Sequence, residues 1–289
     1  MSAAQVDMRG KTCVVTGASN GIGKAAAVAL GRMGAELVLI CRDRARGEAA
    51  VAEVAAASGG RRPDLLLADL ASQAEIRRLA AECLASGRPI HVLLNNAGVI
   101  NLRREVTADG LEATFALNHL GYFLLTHLLL DRIRASAPAR IVNVASDAHR
   151  FARGGLDFDD LQSEKGYSSM AVYGRSKLAN ILFTRELARR LEGSGVTVNA
   201  VHPGAVATGF ASNNGWLAKT VMWLGSPFLR TPEKGAETSI HCCTAPELAA
   251  VTGRYFANSR EARPNRFATD DAAARRLFEV SAKLVGVPA

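Results

Sequence analysis

The sequence predicts a doubly wound α/β fold, a mostly parallel sheet with helices on both faces, and three observations predict it. Short apolar runs alternate with alanine- and leucine-rich helical stretches along the chain. The runs lack the polar alternation of a half-exposed strand, so they read as buried on both sides. A glycine-rich turn, with Gly17, Gly21 and Gly23, separates the first run from the first helix. At 289 residues, 48% hydrophobic and 21% charged, the chain can build one large core, and residues 1–289 are read as one domain.

In order, TCVVTG is the first strand and a helix begins near Ile22. ELVLIC, DLLLAD, HVLLNN, ARIVNVAS and VTVNAVHP follow as strands two to six, and about seven are expected in all. The Gly- and Pro-bearing stretches 58–63 and 153–155 are loops, because the alternation resumes after each.

Composition removes several function classes. The net charge of +8 is spread along the chain with no basic block, which argues against nucleic acid and for solvated helix faces or an anionic cofactor. Five cysteines in no C-x-x-C spacing and no secretory signal ahead of Arg9 point to free thiols, a reducing cytoplasm and no structural zinc. The most apolar run, LGYFLLTHLLL, is too short to span a membrane and holds a histidine.

The glycine turn lies between strand and helix, the context in which small residues admit a pyrophosphate to the unpaired N–H groups of a helix start. The end of the second strand selects the nucleotide. Cys41 stands where an NAD-specific site carries an acid, and Arg42 follows it, which favours the 2′-phosphate of NADP(H) over NAD(H). Asp43 is the alternative, since a one-residue shift would bring its carboxylate to the ribose.

Tyr173 and Lys177, four apart at the start of a long helix, project from one face. A core tyrosine with a snorkelling lysine would read the same way. The chemical reading is that a cation about 4 Å away, at an effective dielectric of about 20, favours the phenolate by about 4 kcal/mol before desolvation is subtracted. That would draw the phenol toward working pH, where it can serve as general acid and base.

Seven motifs then occur in order: TGASNGIG, ADL, NNAG, NHLGYF, VNVAS, YGRSK and HPG. With them the chain resembles the short-chain dehydrogenases/reductases, a Rossmann-fold family, over nearly its whole length. CRDRARGEAA, SKLANILFTRELARRL, EKGAETS, GRYFANS and LFEVSAKLVG narrow the resemblance to the retinol dehydrogenase-like branch. The resemblance implies a catalytic set of Asn118, Ser146, Tyr173 and Lys177, in which Ser146 orients the substrate oxygen and the Asn118 carbonyl retains a water leading from the lysine to solvent. Ala145 replaces the first serine of the usual pair. The implied cofactor contacts are Gly17, Ser19, Asn20, Gly21, Ile22, Gly23, Arg42, Asp69, Leu70, Asn96, Ala97, Gly98, Tyr173, Lys177, Pro203, Gly204, Val206 and Thr208. Asn95 would brace the central strands. His119, His149 and His202 lie near the motifs, but none has metal-ligand spacing, and each reads as a hydrogen-bonded histidine.

A segment at about 209–231, with Trp216, Met222, Trp223 and Phe228, occupies the family's lid position and implies a lipophilic small-molecule substrate. Packing on the domain or a neighbouring subunit, or peripheral contact with a membrane, would also use such residues. The animal relatives begin with a hydrophobic anchor and this chain begins almost at its first strand, so a soluble version is expected rather than a retinoid enzyme. Monomer and homodimer both stay open. The function expected is NADP(H)-dependent exchange of a lipophilic alcohol with its aldehyde or ketone. A nucleotide-binding regulator without turnover, an enzyme of polar carbonyls and one acting on nucleotide-linked sugars are the alternatives.

Overall fold

A computed structural model describes residues 6–204, 206 and 230–289. The strands are β1 (Thr12–Thr16), β2 (Glu36–Cys41), β3 (Asp64–Leu67), β4 (Val92–Asn95), β5 (Ala139–Val144), β6 (Val196–His202), β7 (Tyr255–Ala257) and β8 (Arg260–Glu261). Among the described residues they form one sheet in the order β3-β2-β1-β4-β5-β6-β7-β8, parallel except for the β7–β8 pair. The sequence expectation of about seven strands is exceeded by β8, a two-residue antiparallel edge with both residues exposed, too short to leave an apolar signature.

The helices are α1 (Gly21–Arg32), α2 (Arg44–Ala57), α3 (Gln73–Ala85), α4 (Ala113–Ala135), α5 (Ser169–Arg190), α6 (Pro232–Thr244) and α7 (Asp271–Val285). Alternation along the strands divides the core in two. Val14, Ile40, Leu93 and Ile141 pack toward α3, α4, α5 and α7. Their neighbours Val15, Leu39, Leu94 and Val142 pack toward α1, α2 and α6. Both faces are therefore covered, as the absence of polar alternation predicts.

The helix α4 is longer than its apolar motif implies. It is long and apolar enough to cross a membrane by length and composition, but 72% of its apolar window is buried by the fold. Within it Ala116–Leu120 form a π-helical turn, a device common at functional sites and invisible to hydrophobic periodicity. All parallel strands end at one edge of the sheet, and their order reverses at β1 and β4, where ligands of such folds bind.

Candidate active site

Most of the predicted site residues among the described ones line one cleft. A cleft of about 390 Å³ opens along that edge, lined by Ser19, Asn20, Arg42, Asp69, Asn96, Ser146, Tyr173, Lys177 and Pro203 among others. Gly17, Gly21, Ile22, Leu70, Ala97, Gly98, Gly204 and Val206 line it too. Gly23 and Asn118 do not, and Thr208 and nearly all of the 209–231 segment lie outside the described residues.

Main chain builds the β1 end. The Thr16 hydroxyl accepts from the N–H groups of Asn96 and Ala97 at 2.8 and 3.0 Å, and the Asn96 amide donates to the Thr16 carbonyl at 2.8 Å. These bonds close the glycine turn on the NNAG turn. Gly23 is packed into this junction: a Cβ there would collide with the Gly17 carbonyl and the Asn96 amide. Asn20 stands at the start of α1 without a side-chain capping bond, whereas Asp43, Ser72, Thr231 and Asp270 cap their helices. The uncapped N-terminus lies on the cleft, and its free N–H groups and dipole suit a pyrophosphate.

At the end of β2 the Asp43 carboxylate accepts from the Arg46 N–H at 2.8 Å as the cap of α2. That bond holds it below the ordinary carboxylate range. Arg42 and Arg46 both line the cleft there. Sequence reading missed Arg46, whose only signal is its place three residues after a capping aspartate. Two guanidinium groups at this end have the charge and donors to hold a phosphate.

Side chains build the β5 end. The chain leaves β5 at Val144, and Ser146 caps a 3₁₀ turn (Asp147–Phe151) by accepting from the Ala148 N–H at 3.1 Å. Gly174 lets α5 press on that turn, since a Cβ would lie 2.6 Å from the Ala148 carbonyl oxygen. The neighbouring Tyr173, half-buried, is thereby hydrogen-bonded to Ser146. One turn on, Lys177 is 2% exposed. Its ammonium donates to the Val144 carbonyl at 3.0 Å and lies 5.6 Å from the Tyr173 ring centre and 5.7 Å from that of Tyr122.

Tyr173 and Lys177 share a face, as their spacing predicts, and burial acts on both. Burial pushes the Tyr173 phenol well above its ordinary value, opposed by the Ser146 hydrogen bond. Burial also draws Lys177 down to about 7. Desolvation is the leading cause in both, and it opposes the attraction that the spacing suggests.

Asn118 sits in the π turn behind this wall. Its side chain accepts from the Val99 N–H at 2.8 Å and donates to the Val99 carbonyl at 2.9 Å, while its own carbonyl accepts from the Asn180 amide at 2.9 Å. Asn95 donates to Asn143 on β5 at 2.9 Å and to Thr126 at 3.0 Å. The three histidines are all hydrogen-bonded: His119 to Asn180 and Ser281, His149 to Ser146 and Asn265, His202 to the Asp147 N–H. Burial draws His119 down to about 4. Among the described residues no three His, Cys, Asp or Glu converge as metal ligands.

Comparison with known proteins agrees with this geometry. Residues 17–226 match the family model described as Enoyl-(Acyl carrier protein) reductase. Retinol dehydrogenase 11 of Homo sapiens is 44% identical over 283 residues, 98% of this chain and 88% of that protein. Retinol dehydrogenase 13 of Homo sapiens is 43% identical over 289 residues, covering 97% and 86%. Among solved structures, an uncharacterized protein from Mycobacterium Paratuberculosis superposes with a TM-score of 0.79 at 30% identity, covering 99% of this chain and 98% of that one. A short chain dehydrogenase from Burkholderia cenocepacia J2315, solved in complex with NADP, superposes with a TM-score of 0.69 at 26% identity, covering 86% and 96%.

Proposed function

A member of the short-chain dehydrogenase/reductase family and of its retinol dehydrogenase-like branch, the chain is, we propose, an NADP(H)-dependent oxidoreductase that interconverts a lipophilic alcohol and its aldehyde or ketone. The observation that carries this reading is the wall of Ser146, Tyr173 and Lys177 on a cleft that begins at an uncapped helix start. A bound nicotinamide supplies or accepts the hydride there. Tyr173 carries the proton at its phenol oxygen, and a phenol kept protonated by burial suits donation to a carbonyl that is being reduced. Ser146 donates a hydrogen bond to the same substrate oxygen and orients it. Lys177 holds the ribose side of the site, and the Asn118 carbonyl retains a water through which the proton path runs onward to solvent.

NADP(H) is favoured because Arg42 and Arg46 flank the end of β2 while Asp43 is committed to capping α2. The NADP complex of the Burkholderia cenocepacia relative supports this choice. The retinol dehydrogenase relatives support a lipophilic substrate. Cell fractionation locates the enzyme, and recovery only in the membrane pellet would contradict the cytoplasmic expectation.

A cofactor-fluorescence screen of alcohols and carbonyls of graded chain length, with NADPH and NADH in parallel, tests the function. Turnover should rise with chain length and favour NADPH. A preference for short polar carbonyls, or for NADH, would overturn the reading.

A further inference from the structure

The proposed role of Ser146 depends on where its hydroxyl points, and that depends on a main chain that has already left the sheet. Ser146 has extended dihedrals, φ −163° and ψ 154°, one residue past Ala145 and two past the end of β5. No strand partner fixes its carbonyl. Two donors do instead: the His149 N–H at 3.0 Å and the His149 ring Nδ1 at 2.7 Å.

The ring can bond in only one way. Its Nδ1 faces a carbonyl, which only accepts, so Nδ1 carries the hydrogen. Its Nε2 faces the Asn265 main-chain N–H at 3.0 Å, which only donates, so Nε2 is bare. Burial favours this neutral form. The Asn265 side-chain amide also donates to the His149 carbonyl at 3.0 Å, and its oxygen caps a second 3₁₀ turn, Arg266–Thr269, through Ala268. The edge of the Tyr255 ring lies across the imidazole with centroids 5.4 Å apart. His149, fully buried, thus ties the serine turn to a segment 116 residues away in sequence.

We propose that His149 is a positioning residue for the reaction: its Nδ1–H fixes the Ser146 carbonyl, and through it the direction of the Ser146 hydroxyl beside Tyr173. The inference rests on the reading of Ser146 as the group that orients the substrate. Positioning of this kind is worth much in rate, because an error of about 1 Å in a reacting group costs about a hundredfold.

Two conservative variants separate positioning from mere support. His149→Asn puts an amide where Nδ1 lies and keeps a donor for the Ser146 carbonyl while losing the acceptor for Asn265. His149→Gln puts its amide where Nε2 lies and keeps that acceptor while losing the donor. His149→Gln should lower kcat about tenfold or more with KM and the NADPH dissociation constant within about twofold of wild type, and His149→Asn should keep kcat within about threefold, although both lose thermal stability. Equal falls in kcat that track the loss of melting temperature, or full activity in His149→Gln, would overturn the proposal. Ser146→Ala, measured alongside, distinguishes the two levels. If that variant keeps its activity the reading of the site fails, and if it is inactive while His149→Gln is unimpaired only the role of His149 fails. Should His149→Gln not fold, Asn265→Ala loosens the same tie from its far side. A lowered kcat with NADPH binding held supports the tie, and an unchanged kcat overturns it.

Discussion

At the β1–β2 end the cleft is made of main chain, helix N–H groups and surface arginines, and the bonds that shape it join short turns already adjacent at the sheet edge. At the β5 end it is made of buried side chains whose partners come from α4, α5 and the C-terminal third. The first kind of site recognises charge and tolerates solvent. The second is buried, and that burial pushes the Tyr173 phenol up and Lys177 down. If the ends divide the work as proposed, damage to one should leave the other measurable.

The largest effect belongs to Tyr173→Phe, which deletes the proton-carrying oxygen. We expect kcat to fall by about 10²–10⁴ while NADPH binds as before, and more than about a tenth of wild-type kcat remaining would remove Tyr173 from the role. Gly174→Ala comes next, because the new methyl meets the Ala148 carbonyl and forces α5 off the serine turn. Its kcat should fall by about a hundredfold, again with NADPH binding intact. A variant that lost cofactor affinity instead would show that the two ends are mechanically one.

Arg42→Ala probes the other end. It should weaken NADPH by about 1.5–3 kcal/mol and leave NADH nearly untouched, with Arg46→Ala acting in the same direction. Dissociation constants at fixed ionic strength measure this, since salt screens the contact. Equal losses for both cofactors would mean that these arginines serve the turn and not the phosphate.

The last effect is one of stability. Lys177 holds its proton only below about 7 in the folded protein, against 10.5 ordinarily. Between those values the unfolded chain binds a proton there that the folded chain does not, so this group makes stability rise with pH. Lys177→Met removes that contribution. The stability gained over wild type in urea should be largest near pH 7 and shrink toward pH 10, and a gain independent of pH would show that Lys177 titrates normally.

Legibility follows the same division. The glycine turn, Arg42, the NNAG turn and the Tyr173–Lys177 spacing are local patterns, and each stands where the sequence puts it. The close approach at Gly174 and the His149–Asn265 tie arise from contacts between segments apart in sequence, and no periodicity encodes them or the π turn around Asn118. The spacing of Tyr173 and Lys177 likewise reveals a neighbour but not the burial that sets the local dielectric.

Hydride transfer itself is the most direct test of the central claim. NADPH deuterated at the transferable position of its nicotinamide C4 is incubated with a long-chain aldehyde, and the alcohol is examined by mass spectrometry. The account predicts one deuterium at the carbinol carbon per cofactor oxidised, largely lost in Tyr173→Phe and much slower when labelled NADH replaces NADPH. Tight NADPH binding with no label in any aldehyde or ketone, whatever its chain length or polarity, would contradict it and leave a nucleotide-binding protein without turnover.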